Sequence, residues 1–226
     1  MPKQTPRLKS EETARKILDA ALQLFRSQGF DAATMRDIAR EAGVATGAAY
    51  YYYDSKDAIV MDFYRRSSAE MQPQIEEALQ GIAGLERRLR ELIQVKLTHF
   101  APNRSVLRAL LRNGADPRHP LSPFSSQTKE IRDTDIAWFG HILTDCGVRI
   151  SRDLEPSLPA LFWFLQMGVI LFWVIDESPG QRRTARLLEL ATKSVMALIR
   201  VSSLPLMRPV RKTALELVEV VTGDRA

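Results

Sequence analysis

The chain has 226 residues, 45% of them hydrophobic, with 32 Lys and Arg against 27 Asp and Glu and a formal charge of +5. That is enough apolar material for a core and excludes a disordered chain, while the modest positive charge permits an anionic partner without demanding one. A single cysteine, Cys146, excludes an intramolecular disulfide and a thiolate metal cluster, and the polar start "MPKQTPRLKSEETARK", with no apolar signal stretch, predicts a cytoplasmic protein.

Helical periodicity recurs from end to end and strand signals are almost absent, which predicts an all-α fold. The first helix is expected over 11–28, with Ser10 as N-cap, Glu11 and Glu12 in the first turn and Gly29 as the left-handed stop. Ala14, Ile17, Leu18, Ala21 and Phe25 share one face of it. Thr34 caps a second helix over 35–42, with Asp37 reaching back in a capping box and Gly43 ending it. A third begins near Thr46 and ends at Tyr52 to Asp54, and Ser55 caps a longer one over 56–80. Further helices are expected at 84–100, 104–114, 127–146, 156–177, 181–202 and 207–222. Between two of them, "GADPRHPLSPFSSQ" (114–127), with three prolines, reads as a long exposed loop.

Two short helices joined by a tight turn at Gly43-Val44 make a helix-turn-helix, whose second helix enters the DNA major groove. The small residues Thr46, Gly47 and Ala48 permit close approach to base edges. Then follow four tyrosines, 50 to 53, pointing in directions about 100° apart. Tyr50 and Tyr53 are expected to pack toward the core, while Tyr51 and Tyr52 offer hydroxyls to phosphates. Lys56, at the start of the next helix, would hold another phosphate with the free amides there.

The stretch "TARKILDAALQLFRSQGFDAATMRDIAREAGVATGAAYYYYDSKDAIV" (13–60) resembles the N-terminal domain of the tetracycline-repressor (TetR) family of bacterial transcriptional regulators. The features that carry it are the amphipathic first helix ending at Gly29-Phe30, the Thr34 cap with Ile38-Ala39 behind it, Gly43-Val44, Gly47, Tyr50, Tyr53 and Lys56. The resemblance implies a DNA-facing set of Thr34, Arg36, Thr46, Gly47, Ala48, Tyr50, Tyr51, Tyr52 and Lys56. Arg36, near the start of the second helix, is the best candidate to read a guanine, with a phosphate contact as its alternative role. Ala45 stands where the family has Ser or Thr, so Thr46 is expected to cap one residue late. Ala49 is smaller than the usual aliphatic, and Tyr53 replaces the usual phenylalanine, so its hydroxyl needs a partner. Only weak charge bias supports DNA binding: residues 1–56 carry nine Lys and Arg against seven Asp and Glu.

The resemblance further implies a DNA-binding domain at 1–56 and an all-helical effector-binding and dimerisation domain at 57–226. The run "LPALFWFLQMGVILFWVI" (158–175) is as long as a membrane span needs to be. Pro159, a central Gln166, the acidic Asp176-Glu177 after it and the lack of a second such run favour a buried helix instead. Apolar all round, it needs cover on opposite faces, which a second copy would supply through helices 156–177 and 181–202, with Leu187, Leu190, Ala191, Ser194 and Leu198 along one side of the latter. Two copies would read a palindromic operator on double-stranded DNA.

Candidates for contact with a small-molecule effector are Phe100, Leu107, Leu111, Phe139, Ile142, Trp163, Met167 and Ile170, for each of which core packing is the competing role. His99, His119 and His141 lack metal-ligand spacing, Cys146 reads as an inert thiol, and no catalytic triad or phosphate loop is present, so neither enzyme activity nor a cofactor is expected. The reading is a homodimeric repressor released from its operator by a small hydrophobic effector, with coupling through helix 56–80. The alternatives are a regulator without an effector and a membrane-associated helical protein.

Overall fold

The structure is a computed structural model and describes residues 6–111, 114, 116–147, 150–151, 154–202, 204, 209, 212–213 and 216. Nine α-helices are found among them: α1 (Pro6–Gln28), α2 (Met35–Glu41), α3 (Thr46–Tyr52), α4 (Lys56–Leu79), α5 (Leu85–Phe100), α6 (Arg104–Leu111), α7 (Lys129–Cys146), α8 (Leu158–Ile175) and α9 (Arg182–Ser202). No strand occurs among the described residues, so the all-α expectation holds. The helix expected over 207–222 lies almost wholly outside the described residues.

The chain divides into two compact units, Met1–Glu70 with Phe100–Ile131, and Met71–His99 with Arg132–Ala226. The division falls inside α4, which also contains Pro73. Pro73 has no N–H to give the carbonyl four residues earlier, so the ladder of α4 lacks one rung there.

In the first unit, Ile17, Ala21 and Phe25 of α1, Ile38 and Ala39 of α2, Ala49 of α3, and Ile59 and Val60 of α4 have almost no solvent access, with α1 packed on α2 and α2 on α3. The helix ends follow local rules. Gly29 and Gly43 take left-handed φ of 89° and 68°, where a side chain would be strained. Thr34 Oγ1 accepts from Asp37 N at 3.2 Å and Thr34 N donates back to Asp37 Oδ2 at 3.3 Å, the capping box expected from the sequence. Ser55 Oγ accepts from Ala58 N at 3.1 Å at the start of α4.

Three local expectations are corrected. Ser10 is not an N-cap, because α1 begins at Pro6 and Ser10 lies within it. Thr46 is the first helical residue of α3 and not its cap; Ala45 stands at the cap, with no side-chain hydrogen bond. The segment 114–127 is not simply exposed, since Leu121, Ser122 and Ser125 are buried, along with neighbouring Thr128. There, Ser122 Oγ donates to Gly114 O at 2.6 Å, Ser125 Oγ to Pro120 O at 2.9 Å and Thr128 Oγ1 to Ser122 O at 2.7 Å. Hydroxyls thus satisfy carbonyls that prolines and turns leave without helical partners.

In the second unit, Leu89, Leu92 and Ile93 of α5, Phe139 and Ile142 of α7, and Phe162, Trp163, Val169 and Trp173 of α8 are buried. α8 packs on α9. Between them Asp176, itself buried, accepts from Ser178 N at 2.9 Å, Thr184 N at 2.9 Å and Thr184 Oγ1 at 2.7 Å, fixing the entry to α9. Burial opposes ionisation of Asp176, but these hydrogen bonds, Thr184 foremost, outweigh it and hold its carboxyl well below the usual carboxylate range.

Candidate nucleic-acid interface

The turn between α2 and α3 is closed by Val44 N donating to Ala39 O at 2.9 Å, and it sets the two short helices as a helix-turn-helix. Thr34, Arg36, Thr46, Gly47, Tyr50 and Tyr51 are exposed, and Ala48 and Tyr52 are half-buried. This is one surface built from the N-terminal ends of two helices and the outer side of α3. Arg36 stands in the first turn of α2. Asp37, beside it, also accepts from Thr34 Oγ1 at 2.6 Å and from Arg40 at 2.7 Å, and the Thr34 hydrogen bond leads in holding its carboxyl below the ordinary range.

Of the four tyrosines, Tyr53 alone faces the core. Tyr50 is corrected: it is 52% exposed, because Ala49 and Tyr53, four residues apart, occupy the inward face of α3 and Tyr50 is turned about 100° away. The small Ala49, wholly buried, lets α3 sit close to the core. Tyr51 is 82% exposed and meets Tyr52 edge-on, with ring centroids 5.3 Å apart.

The Tyr53 hydroxyl lies 2.6 Å from Asp62 Oδ2 and 3.2 Å from Ala14 O, and Arg66 Nε donates to the same carboxylate oxygen at 2.8 Å. Burial first, and then the Asp62 carboxylate, push the Tyr53 phenol far above its ordinary value. Beside this network is an open cleft of about 320 Å³ lined by Ala14, Tyr52, Tyr53, Ala58, Asp62, Arg65 and Arg66. Lys56 is half-buried. Its Nζ donates to Phe30 O at 2.7 Å and Asp31 O at 3.3 Å and sits 4.7 Å from the Phe30 ring centroid, so it ties the start of α4 to the turn after α1.

The expected effector contacts fall in both units. Phe100, Leu107 and Leu111 belong to the first, where the Phe100 ring meets Phe63 at 5.9 Å. Phe139, Ile142, Trp163, Met167 and Ile170 belong to the second; the first three are buried and the last two partly exposed. Sequence reasoning did not single out a polar cluster among these: Lys96 Nζ is 2.8 Å from Asp135 Oδ1, and Gln166 Nε2 donates to Asp135 Oδ2 at 3.1 Å. No group of three or more His, Cys, Asp or Glu able to hold a metal ion occurs among the described residues.

An all-helical chain that presents a helix-turn-helix in this way is a DNA-binding protein of the transcription-regulator class. The comparisons with known proteins agree. The family model described as "Bacterial regulatory proteins, tetR family" matches residues 17–62, and "Tetracyclin repressor-like, C-terminal domain" matches residues 88–217, more than half of the chain. The chain therefore belongs to the TetR family of helix-turn-helix transcriptional regulators. It is 25% identical to the HTH-type transcriptional regulator SrpR of Pseudomonas putida over 197 residues, 84% of this chain and 87% of that protein. Among solved structures, it shares its fold with Salmonella enterica GusR, at a TM-score of 0.65 and 19% identity, over 88% of this chain and 100% of that one. It also resembles the transcriptional regulator FadR from Bacillus subtilis in complex with stearoyl-CoA, at a TM-score of 0.60 and 20% identity over 79% and 97% of the two chains.

The helix Glu155–Ile175 is long and apolar enough to cross a membrane. In this fold α8 instead packs on α9 and places Gln166 in the interior, hydrogen-bonded to α7. The membrane-protein alternative is not favoured.

Proposed function

We propose that the protein is a cytoplasmic, non-enzymatic homodimeric repressor that holds a palindromic operator and is released from it by a small hydrophobic effector. The observation that carries the DNA-binding part is the exposure of Thr34, Arg36, Thr46, Gly47 and Tyr51 on one helix-turn-helix surface, with Ala48, Tyr50 and Tyr52 beside them. Bases are read by Arg36 and the small first turn of α3, and phosphates are met by the tyrosine hydroxyls and Lys56. The expected division into a DNA-binding part at 1–56 and an effector and dimerisation part at 57–226 belongs to the same reading.

Dimerisation is supported by apolar side chains that the protomer leaves uncovered on its last two long helices. Leu171 and Ile175 of α8 and Leu190, Leu198 and Val201 of α9 are between 43% and 63% exposed. At helical spacing they form stripes suited to a two-fold four-helix bundle. An apolar effector suits an interior rich in aromatic side chains, Phe139, Phe162 and Trp163 in the second unit, and FadR, of similar fold, is solved in complex with stearoyl-CoA. A tilt of α4, which begins at Lys56, would then reorient α3, provided the effector binds the two states with different affinity.

Selection of bound duplexes from a random pool, followed by titration of the enriched sequence with and without candidate effectors, tests this reading. Enrichment of a palindrome bound by two copies supports it; absence of enrichment overturns it.

A further inference from the structure

Lys96 and Gln166 are each only 1% exposed, yet each keeps an unspent polar atom in the interior of the second unit. The Asp135 carboxylate joins them, with Oδ1 against the Lys96 ammonium at 2.8 Å and Oδ2 accepting from Gln166 Nε2 at 3.1 Å. Lys96 Nζ is in ion-pair contact but angled away from a hydrogen bond, and Gln166 Oε1 has no donor at all. A buried polar atom left without a partner costs about 1–3 kcal/mol. Three helices that spend that energy on one cluster are set to receive something.

The orientation of the amide is fixed. With Nε2 on the carboxylate, Oε1 points away from it; turning the amide over would set two acceptors against each other. What comes next to Gln166 Oε1 must therefore be a hydrogen-bond donor. What comes next to Lys96 Nζ must be an acceptor. The charge of Lys96 is already balanced by Asp135, so a carboxylate ligand would bring an uncompensated anion and no proton for Oε1, and a cationic ligand would meet the ammonium. A neutral hydroxyl serves both atoms, donating to one and accepting from the other.

The neighbours of the cluster are apolar. Gln166 lies on the buried stripe of α8 with Phe162, Trp163 and Val169, and Asp135 is one turn from Phe139, whose ring centroid is 5.5 Å from Lys96 Nζ. We propose that Lys96, Asp135 and Gln166 form the polar anchor of the effector site and select an apolar molecule carrying one neutral hydroxyl, a phenol or an alcohol. This rests on the reading of the second unit as the effector-binding part, and it specifies the ligand class. A site whose buried groups hydrogen-bond a hydroxyl discriminates against the analogue that lacks it, because the site's own atoms are then stranded.

The test uses the full-length protein and two probes of nearly equal shape, 4-ethylphenol and 4-ethyltoluene, titrated calorimetrically. Wild type is expected to prefer the phenol by about tenfold or more. Gln166→Met, which keeps the volume and removes the acceptor, should reduce that preference to about threefold or less, with weakened phenol binding. Lys96→Met together with Asp135→Leu removes the ion pair without leaving one buried charge alone, and should do the same; melting curves followed by circular dichroism establish that both variants are folded. Equal affinities for the two probes in wild type, as when a buried water already serves both atoms, overturn the proposal. So does an undiminished preference in folded Gln166→Met, or no saturable binding of the phenol. Selective phenol binding that leaves operator affinity unchanged upholds the hydroxyl anchor and overturns the effector-release reading instead.

Discussion

The Tyr53 hydroxyl reaches Asp62 Oδ2 across 2.6 Å, linking the residue at the end of the recognition helix to the second turn of α4. A phenylalanine there would fill the same core but could not bind α4 by a hydrogen bond. Tyr53→Phe is expected to lower stability by about 1 kcal/mol in urea unfolding, Asp62 keeping Arg66 as its partner. The same contact gives a pH signature. Free tyrosine ionises at a pH of about 10, whereas burial and then Asp62 keep folded Tyr53 protonated above that. Its contribution is intact below the unfolded value and declines as pH rises from there through the folded one. Tyr53→Phe should abolish that part of the alkaline loss; an identical alkaline profile in both proteins would count against the coupling.

On the DNA surface, Arg36 and Tyr51 are expected to fail in different ways. Arg36→Ala should cost about 1–3 kcal/mol on the selected operator and relax the preference at one base position. Tyr51→Phe, which removes only an exposed hydroxyl, should weaken binding to all sequences evenly, since a phosphate contact carries no base information. Titrations against the operator and single-base variants separate the two. An even loss in Arg36→Ala would reassign the arginine to the backbone.

Some helix ends in the first unit were legible in the sequence because they depend on neighbours in the chain, whereas Ser10 and Thr46 were misplaced because α1 begins before Ser10 and α3 begins at Thr46 without a side-chain cap. Gly29, Gly43 and the Thr34–Asp37 box are settled within four residues of backbone. Tyr50 was misplaced because a run of four identical aromatics has no periodicity of its own; the phase of α3 is set by the buried Ala49, a small residue outside the run. Ser122 and Ser125 read as part of an exposed loop because their buried partners are carbonyls, which no side-chain pattern reports. Lys96 drew no reading from the sequence, and Gln166 counted there only against a membrane span. Their meaning comes from Asp135, some 30 to 40 residues from either, so it exists only once α5, α7 and α8 are packed.

Lys56 is held by the Phe30 and Asp31 carbonyls, which use two of its three N–H donors. Lys56→Met should therefore lower stability by about 1 kcal/mol, by loss of a charged hydrogen bond from a half-buried site. If the remaining donor meets a phosphate, the slope of log affinity against log salt should also become shallower by about one unit. A stability loss with an unchanged slope would leave the residue as a tie between α4 and the turn after α1 and remove it from the DNA-contact set.

Leu198 is 63% exposed in the protomer and lies eight residues after Leu190 and three before Val201, on one stripe of α9. Such a side chain gains by burial against a second copy part of what a core leucine gains on folding, about 1–2 kcal/mol for the area still exposed, and two-fold symmetry applies the gain twice. Leu198→Glu would place two carboxylates near the axis of a symmetric bundle and desolvate both, so the dimer should dissociate while each protomer keeps its helices. Light scattering after size exclusion should register one chain of 25.6 kDa in place of two. Operator affinity should fall steeply, because a lone helix-turn-helix grips only a half-site. A variant that stays dimeric, with operator affinity intact, would place the two-fold interface elsewhere than on α9.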